Sequence, residues 1–163
     1  MSGFNLPKYF RLSFDLLLEE QKVTSTNRKI LYMSPGESAN CVWPELFIRA
    51  GDVSKISHKF RCDNDDYEAE TDFPINAWTK IEYSQLPIQN TDLAEVSIKL
   101  NENLVYKFVN YFPRDYQDIA IYYGYKKDEI GMQYSIPEGK IRNLTIEENE
   151  PGLLNLLFEH IVN

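Results

Sequence analysis

Three aspartates stand within four residues in the stretch Asp63-Asn64-Asp65-Asp66. Hard cations such as Ca²⁺ take several oxygen ligands from carboxylates and backbone carbonyls, so Asp63, Asp65 and Asp66 are candidate calcium ligands. The EF-hand spacing is absent, because the sixth position counted from Asp63 is Glu68, where the sharp turn of that loop requires glycine. Calcium is the one cofactor that the sequence suggests, and a solvated acidic loop is the alternative.

Residues that could catalyse a reaction form no recognisable group. The acidic residues continue through the polar stretch DNDDYEAETD, which predicts an exposed loop at 63–72. His58 alternates with apolar neighbours, which favours a half-buried strand residue, and His160 lies in the tail. Neither histidine has a serine or cysteine partner in the sequence, and the Gly-x-Ser-x-Gly motif is absent. We therefore predict no catalytic residues.

The two cysteines, Cys41 and Cys62, are too few for a thiolate zinc site and wrongly spaced for a redox Cys-x-x-Cys pair. A disulfide closing this loop would stabilise the fold by roughly 3 kcal/mol on the chain-entropy model. Two free buried thiols are the alternative. Asn143-Leu144-Thr145 fits the glycosylation sequon, although it lies within a predicted strand.

Aromatic residues crowd the stretch from 111 to 125, as Tyr111, Phe112, Tyr116, Tyr122, Tyr123 and Tyr125. Because Tyr122 and Tyr123 are adjacent on a predicted strand, they face opposite sides of the sheet, and we expect one of them to face water. An exposed tyrosine can stack on a sugar ring or anchor a protein contact. The predicted ligand-binding residues are Asn110, Tyr111, Tyr122, Tyr123 and Tyr125. Cross-strand pairing that stabilises the sheet is the alternative.

The composition is typical of a soluble globular protein, with 43% hydrophobic and 26% charged residues in a chain of 163. This length suits one domain. The formal charge of -8 repels phosphate backbones, so we exclude nucleic acid as a partner. No apolar run approaches the roughly 20 residues of a membrane-spanning helix, so no membrane insertion is expected. The sequence begins without a recognisable leader, which indicates an intracellular protein or one from which a leader was removed.

Alternating apolar and polar side chains predict β-strands along most of the chain. YFRLSFDLLLEE places five apolar residues on one face: Phe10, Leu12, Phe14, Leu16 and Leu18. Residues 94–110 alternate, break at Asn101-Glu102-Asn103 and alternate again, which predicts a β-hairpin. Further strands are predicted in RKILYM, VWPELFIRAG, SKISHKFRC, AWTKIEYSQ, DIAIYYGY and GKIRNLTIEE. Pro44 predicts a strand start or a sheet edge at that point. Because no helix long enough for a parallel crossover is visible, the sheets should be antiparallel.

The tail departs from this pattern. In PGLLNLLFEHIVN, residues 151–163, Leu153, Leu157 and Ile161 share one helical stripe, and Pro151 precedes the start. We predict a short amphipathic helix that covers an open sheet edge or end. Its alternative role is to dock a partner or a second copy of the chain.

The order of the later strands resembles the second half of a concanavalin A-like lectin or laminin G-like jelly roll. In those domains a Trp-led strand precedes a ligand-face hairpin, a strand led by an aromatic-x-Asp-Ile step, and a closing Gly-x-Ile-x-Asn-Leu strand. The matching positions are Trp78, the hairpin at 96–109, Tyr116 to Ile119, and Gly139 to Ile146. About seventy residues carry the resemblance, and this hairpin turns on Asn-Glu-Asn instead of the usual Asn-Gly.

The resemblance implies a two-sheet antiparallel jelly-roll sandwich over residues 1–150, whose relatives mostly bind glycans or extracellular proteins. Retaining hydrolases on this fold carry a Glu-x-Asp-x-x-Glu strand, because they need an acid and a nucleophile about 5 Å apart. That strand is absent, and the nearest group, Glu68, Glu70 and Asp72, lies in the predicted loop.

We therefore predict a non-catalytic, extracellular module of the lectin or adhesion type that recognises a glycan or a protein. Two alternatives remain. One is a structural protein that assembles into homo-oligomers through its acidic surface and tail helix, and the other is a diverged glycoside hydrolase. A cytoplasmic location is the alternative to an extracellular one.

Overall fold

The computed structural model describes residues 3–22, 25–34, 41–62, 65–123, 138–148 and 156–158. Within these ranges the chain forms twelve β-strands: β1 (Phe4–Leu6), β2 (Phe10–Leu18), β3 (Arg28–Ser34), β4 (Cys41–Ile48), β5 (Lys55–Cys62), β6 (Asp65–Asp72), β7 (Thr79–Pro87), β8 (Ala94–Leu100), β9 (Asn103–Asn110), β10 (Tyr116–Tyr123), β11 (Gly139–Glu148) and β12 (Leu156–Phe158). They form two antiparallel six-stranded sheets, which confirms the predicted all-β class. The same ranges contain no helix that is long and apolar enough to cross a bilayer.

The first sheet has the order β1-β10-β3-β4-β5-β6 and belongs to the compact unit built around Leu18–Ile75. Its fourth strand, β4, begins at Cys41, three residues before Pro44, so Pro44 is not the strand start. The described pairing of β4 with β3 ends at Glu45, so the predicted sheet edge at Pro44 stays a prediction. The β4·β5 register shifts between Val42 and Glu45. This irregularity spans Pro44, whose missing N–H is tolerated where the ladder is already interrupted.

The same pairing places Cys41 directly opposite Cys62. Opposed residues of antiparallel strands have Cα atoms about 4.5 to 5.5 Å apart, within the range that a disulfide requires. The backbone register is therefore compatible with the predicted disulfide, which stays a prediction.

The second sheet has the order β12-β11-β2-β7-β8-β9 and belongs to the unit built around Asn76–Tyr116. Strand β2 buries every second residue along its whole length, as its alternation predicts. Phe10 and Phe14 are each 1% exposed. A large apolar side chain that is fully buried stabilises the fold by about 1.5 to 3 kcal/mol, so the apolar face of β2 anchors this sheet.

The predicted hairpin at 94–110 is confirmed as β8 and β9, joined by the two residues Asn101 and Glu102. Both have positive φ, 47° and 70°, as a type I′ turn requires. Asn101 also ties the turn to β7, since its Oδ1 accepts from the backbone N of Lys80 at 2.9 Å. The turn therefore sets the pairing of Lys99 with Leu104, and the register shifts between Ile98 and Lys99, where Val105 lies outside the described pairs.

The predicted acidic loop at 63–72 is wrong for the described residues 65–72, which form the edge strand β6 paired with β5. Ala69 and Thr71 are buried, and Glu70 between them is exposed. The period of two was present in the sequence, but its buried positions carry small or polar side chains. The exposed carboxylates pair with cations of the first sheet, among them Asp66 with Lys59 at 3.1 Å and Glu70 with Arg49 at 2.7 Å.

The predicted tail helix is wrong at residues 156–158, which form strand β12. Leu156 and Phe158 lie opposite Ile146 and Leu144 of β11 in an antiparallel pairing. An isolated helix of about a dozen residues is marginal, whereas the β11 edge offers backbone partners. The rest of the predicted helix, at 151–155 and 159–163, lies outside the described residues.

Replacing Glu102 tests the turn. A left-handed conformation costs a residue with a Cβ about 1 to 2 kcal/mol, and glycine avoids this cost while losing more entropy on folding. We expect Glu102→Gly to raise the free energy of unfolding by up to about 1 kcal/mol in urea denaturation. The control Glu102→Ala keeps the Cβ and should bring no gain. Equal stability of the two variants would contradict the type I′ assignment.

Candidate functional site

Strand β11 breaks the alternation that β2 and β7 keep over most of their length. Ile141 and Leu144 are buried, and both residues between them, Arg142 and Asn143, are exposed. Asn143 has a φ of 54°. A β-bulge places two residues where a regular strand has one, and a left-handed residue is one of its forms. The bulge therefore turns the side chains of Arg142 and Asn143 to the same polar face of the sheet.

Both side chains donate to one carboxylate on another strand. Arg142 Nε lies 3.2 Å from Oδ2 of Asp15 in β2, and Asn143 Nδ2 lies 2.7 Å from the same oxygen. The Asp15 side chain is 20% exposed. Because the two donors share one oxygen, Asp15 holds a guanidinium and an amide side by side in fixed orientations.

An indole ring lies against the guanidinium. Trp78 immediately precedes β7, and Cζ of Arg142 lies 3.9 Å from the centre of its ring. Stacking of this kind contributes about 0.5 to 1 kcal/mol at exposed sites. Trp78 remains 37% exposed, so the indole still presents apolar surface to solvent. The guanidinium covers part of the indole, and the exposed remainder is a flat apolar platform beside a cation.

Lys80 completes the cluster. It lies opposite Asp15 in the β2·β7 pairing, so the two side chains share one face of the sheet. Lys80 is exposed. Asn101 bonds both polar atoms of its backbone: the N of Lys80 donates to Oδ1 of Asn101, and the N of Asn101 donates to O of Lys80 at 2.9 Å. We call the group Asp15, Trp78, Lys80, Arg142 and Asn143 the bulge site.

The bulge site carries a different charge balance from the neighbouring part of the same face. There Arg11 lies between Glu82 and Glu147 at 3.6 and 3.7 Å, and Lys99 also pairs with Glu82 at 3.3 Å. The bulge site has two cations and one carboxylate. It offers hydrogen-bond donors, one acceptor group and an apolar plane, which are the elements of a site that binds a small polar molecule.

The bulge site was not predicted from the sequence, although Trp78 and Asn143 were noted for other reasons. The signal that could have found the site is the pair Arg142-Asn143, two polar residues where an alternating strand has room for one. The predicted glycosylation of Asn143 stays a prediction. Its amide nitrogen is the atom that donates to Asp15.

The predicted ligand residues Asn110 and Tyr111 lie at the other end of β7, and their ligand role stays a prediction. Asn110 is 5% exposed, donates to Gln85 Oε1 at 2.8 Å, and accepts from the backbone N of Phe112 at 3.0 Å. Gln85 in turn donates to O of Lys8 at 2.6 Å. This buried network holds Tyr111 and Phe112 in solvent, 56% and 74% exposed. We call residues 110–115 the aromatic loop.

The predicted tyrosines of β10 belong to the first sheet. Tyr122 stacks on Tyr32, with ring centres 4.5 Å apart and planes 6° from parallel. Tyr123 is half-buried, and burial raises the pKa of its hydroxyl to about 12. The Tyr122 contact is the cross-strand pairing that we weighed as the alternative. Tyr125 lies outside the described residues, and a ligand role for these tyrosines stays a prediction.

Only one of the three predicted calcium ligands, Asp66, has a side chain that the structure describes. Its carboxylate lies near Lys59 at 3.1 Å and Arg61 at 3.7 Å. Across the described ranges, no three His, Cys, Asp or Glu side chains form a group that could hold a metal ion. Calcium stays a prediction for Asp63, Asp65 and Asp66.

His58 is fully buried, not half-buried as predicted, and its Nε2 lies 2.7 Å from Oγ1 of Thr71. Burial lowers the pKa of its imidazole to about 3. A neutral, hydrogen-bonded histidine in this position supports the core of the first sheet. His160 lies outside the described residues.

No family model and no curated protein matches the sequence. Solved structures do match the fold. A heptameric pentraxin from Limulus polyphemus has a TM-score of 0.57 at 6% identity, over 99% of this chain and 86% of the pentraxin. The CBM40 module of a Ruminococcus gnavus sialidase, solved with α2,3-sialyllactose, has a TM-score of 0.55 at 8% identity, over 82% of this chain and 73% of the module.

The binding domain of botulinum neurotoxin serotype D/C has a TM-score of 0.55 at 14% identity, over 85% of this chain. This chain spans about a third of the length of the neurotoxin chains that it matches, 32% in this case. These likenesses confirm the predicted concanavalin A-like jelly-roll fold, a two-sheet antiparallel β-sandwich. At such low identity they concern the fold alone.

The aromatic loop allows a matched test of its two kinds of residue. We expect Asn110→Ala to lower the free energy of unfolding by about 1 to 3 kcal/mol, because it leaves buried partners unsatisfied. Phe112→Ser removes an exposed side chain and should change stability by less than about 0.5 kcal/mol. Chemical denaturation measures both. A large loss for Phe112→Ser would mean that the loop is structural.

Proposed function

We propose that this protein is a non-catalytic glycan-binding module and that the bulge site is its binding site. The observation that carries the proposal is the Trp78 platform beside the side chains of Asp15, Lys80, Arg142 and Asn143. A sugar ring has an apolar C–H face and an edge of hydroxyls. The indole suits the first, and the charged and amide groups suit the second.

The position of the site supports the proposal. Its side chains come from β2, β11 and the start of β7, so strands and not mobile loops hold most of them. Before a ligand arrives, Asp15 restrains the Arg142 guanidinium, and Asn101 restrains the backbone of Lys80. A site ordered in advance loses less free energy on binding, which matters for sugars because each contact is weak.

The matched folds give a second line of support. The Ruminococcus gnavus module was solved with α2,3-sialyllactose, and cell entry by a matched botulinum neurotoxin of type C depends on two ganglioside molecules. Sialyllactose is a glycan, and a ganglioside is a lipid that carries one. A module that recognises such glycans works outside the cell, so an extracellular location is part of this proposal.

Chemistry at the site also favours binding over hydrolysis. Glycosidases use two carboxyl groups about 5 Å apart, or about 6.5 to 9.5 Å apart in inverting enzymes. The bulge site as defined contains one, Asp15, and two donors occupy one of its oxygens. A carboxylate held in this way suits the orientation of neighbouring groups.

A glycan array tests the proposal. We expect Trp78→Ala to weaken binding of the best glycan at least tenfold, about 1.4 kcal/mol, because the platform is lost. Tyr111→Ala, an exposed aromatic outside the site, is the control and should bind normally. Running the array with calcium and with chelator also tests the predicted metal. Unchanged binding by Trp78→Ala, with its fold verified by thermal unfolding, would refute this site.

The β9 edge favours a second candidate function, self-association. Strand β9 ends its sheet in the described strand order, and it exposes Leu104, Val105 and Tyr106 by 54%, 40% and 37%. From Asn103 to Arg114 the sequence contains no carboxylate, although the chain has a charge of -8. Two acidic copies would repel each other least along this edge, where strands can pair.

Light scattering on a gel-filtration column tests the second candidate. If the edge joins two copies, the wild-type protein elutes with twice the mass of one chain, and Val105→Lys shifts it to a single chain. Gln117→Lys, which adds one charge at an exposed position of β10 in the first sheet, is the control for added charge. A monomeric wild type at about 100 μM, a concentration that reveals ordinary dimers, would exclude this candidate.

A further inference from the structure

We infer that the ligand of the bulge site is an acidic glycan, in which a singly charged oxyanion on the sugar ring binds the terminal nitrogens of Arg142. The inference rests on the proposed glycan-binding function and adds the chemical class of the ligand. A ring carboxylate and a sulfate ester share this chemistry, and the experiment separates them.

The Arg142 side chain is bonded at one nitrogen and open at the other two. Its Nε donates to Asp15, while Nη1 and Nη2 have no hydrogen-bond or ion-pair partner among the described residues. The side chain is 49% exposed. A guanidinium presents its donors as a planar fork that matches two oxygens of one anion. Here one edge of the fork is anchored, and the other edge is open to solvent.

Two contacts restrain the orientation of the Arg142 guanidinium. The Trp78 ring lies 3.9 Å below the guanidinium carbon, and Asp15 fixes the direction of Nε. These two contacts restrain the plane and the rotation of the group. An arginine restrained in this way is ready to bind an anion and has little rotamer freedom to lose on binding.

The bulge site carries a net positive charge. Lys80 lies opposite Asp15, and its ammonium has no ion-pair partner in the described part of the chain. Arg142 and Lys80 against Asp15 leave the bulge site with one unit of positive charge, in a protein whose formal charge is -8. A singly charged anion would neutralise the site. A neutral sugar would leave that charge uncompensated, and a doubly charged phosphate would leave the occupied site with one unit of negative charge.

Matched glycans and matched variants test the inference. The array carries oligosaccharides that end in a sialic or uronic acid, each beside its carboxyl-reduced counterpart and a sulfated analogue. The variants are Arg142→Lys, which keeps the charge but loses the fork, and Arg142→Gln, which loses both. Arg114→Lys is the control, because Arg114 also lies over an aromatic ring, that of Tyr116 at 5.5 Å. Thermal unfolding verifies that every variant folds.

We expect the wild type to bind the acidic member of a pair at least tenfold more tightly than the neutral one. Arg142→Gln should abolish that preference, Arg142→Lys should reduce it, and Arg114→Lys should keep it. The carboxylated and sulfated arms identify the anion. If the wild type binds neutral and acidic members equally, or Arg142→Gln keeps the preference, the inference fails and glycan binding stands. If no glycan binds, the proposed function itself fails.

Discussion

A strand that buries one face must keep its side chains in step, because a shift of one residue moves every later side chain to the opposite face. Strands β2 and β7 meet this constraint, with buried residues at every second position over most of their length. Strand β11 satisfies it in another way. Its extra exposed residue lets Ile141, Leu144 and Ile146 all stay buried, and the polar pair between them forms the centre of the bulge site.

Charged side chains on the polar faces are mostly paired with charges of opposite sign. On the described polar faces most cations lie beside carboxylates, as in Arg49 with Glu68 and Glu70, or Lys107 with Glu95. Such exposed pairs contribute only about 0 to 1 kcal/mol each, so they matter less for stability than for cancelling local fields. Against that background, a small excess of positive charge at Arg142 and Lys80 stands out electrostatically. It is also where the apolar surface of Trp78 meets solvent.

Much of this fold could be predicted from local sequence, and the reasons for the failures are specific. Strands β2 and β8 carry buried apolar residues at every second position, so the side-chain period alone identified them. In β9 the residues Val105 and Val109 interrupt the alternation, and the polar turn before the strand added the signal. Strand β6 carries alanine and threonine at its buried positions. These small or polar residues, among many carboxylates, do not show the alternation of large apolar side chains that predicts a strand. The segment 156–158 depends on an edge that β11 provides. The site was harder still, because Asp15 and Arg142 are 127 residues apart in the chain.

The bulge has a consequence for how such a site can arise and disappear. Removing one residue at Asn143 would leave Ile141, Arg142, Leu144, Thr145 and Ile146 in regular inward and outward alternation, with the same side chains in the interior. A deletion of one codon would thus produce an ordinary strand that keeps Arg142 on the polar face but lacks the amide beside it, on an otherwise unaltered scaffold. The geometry of the bulge site can therefore change in evolution almost independently of the fold.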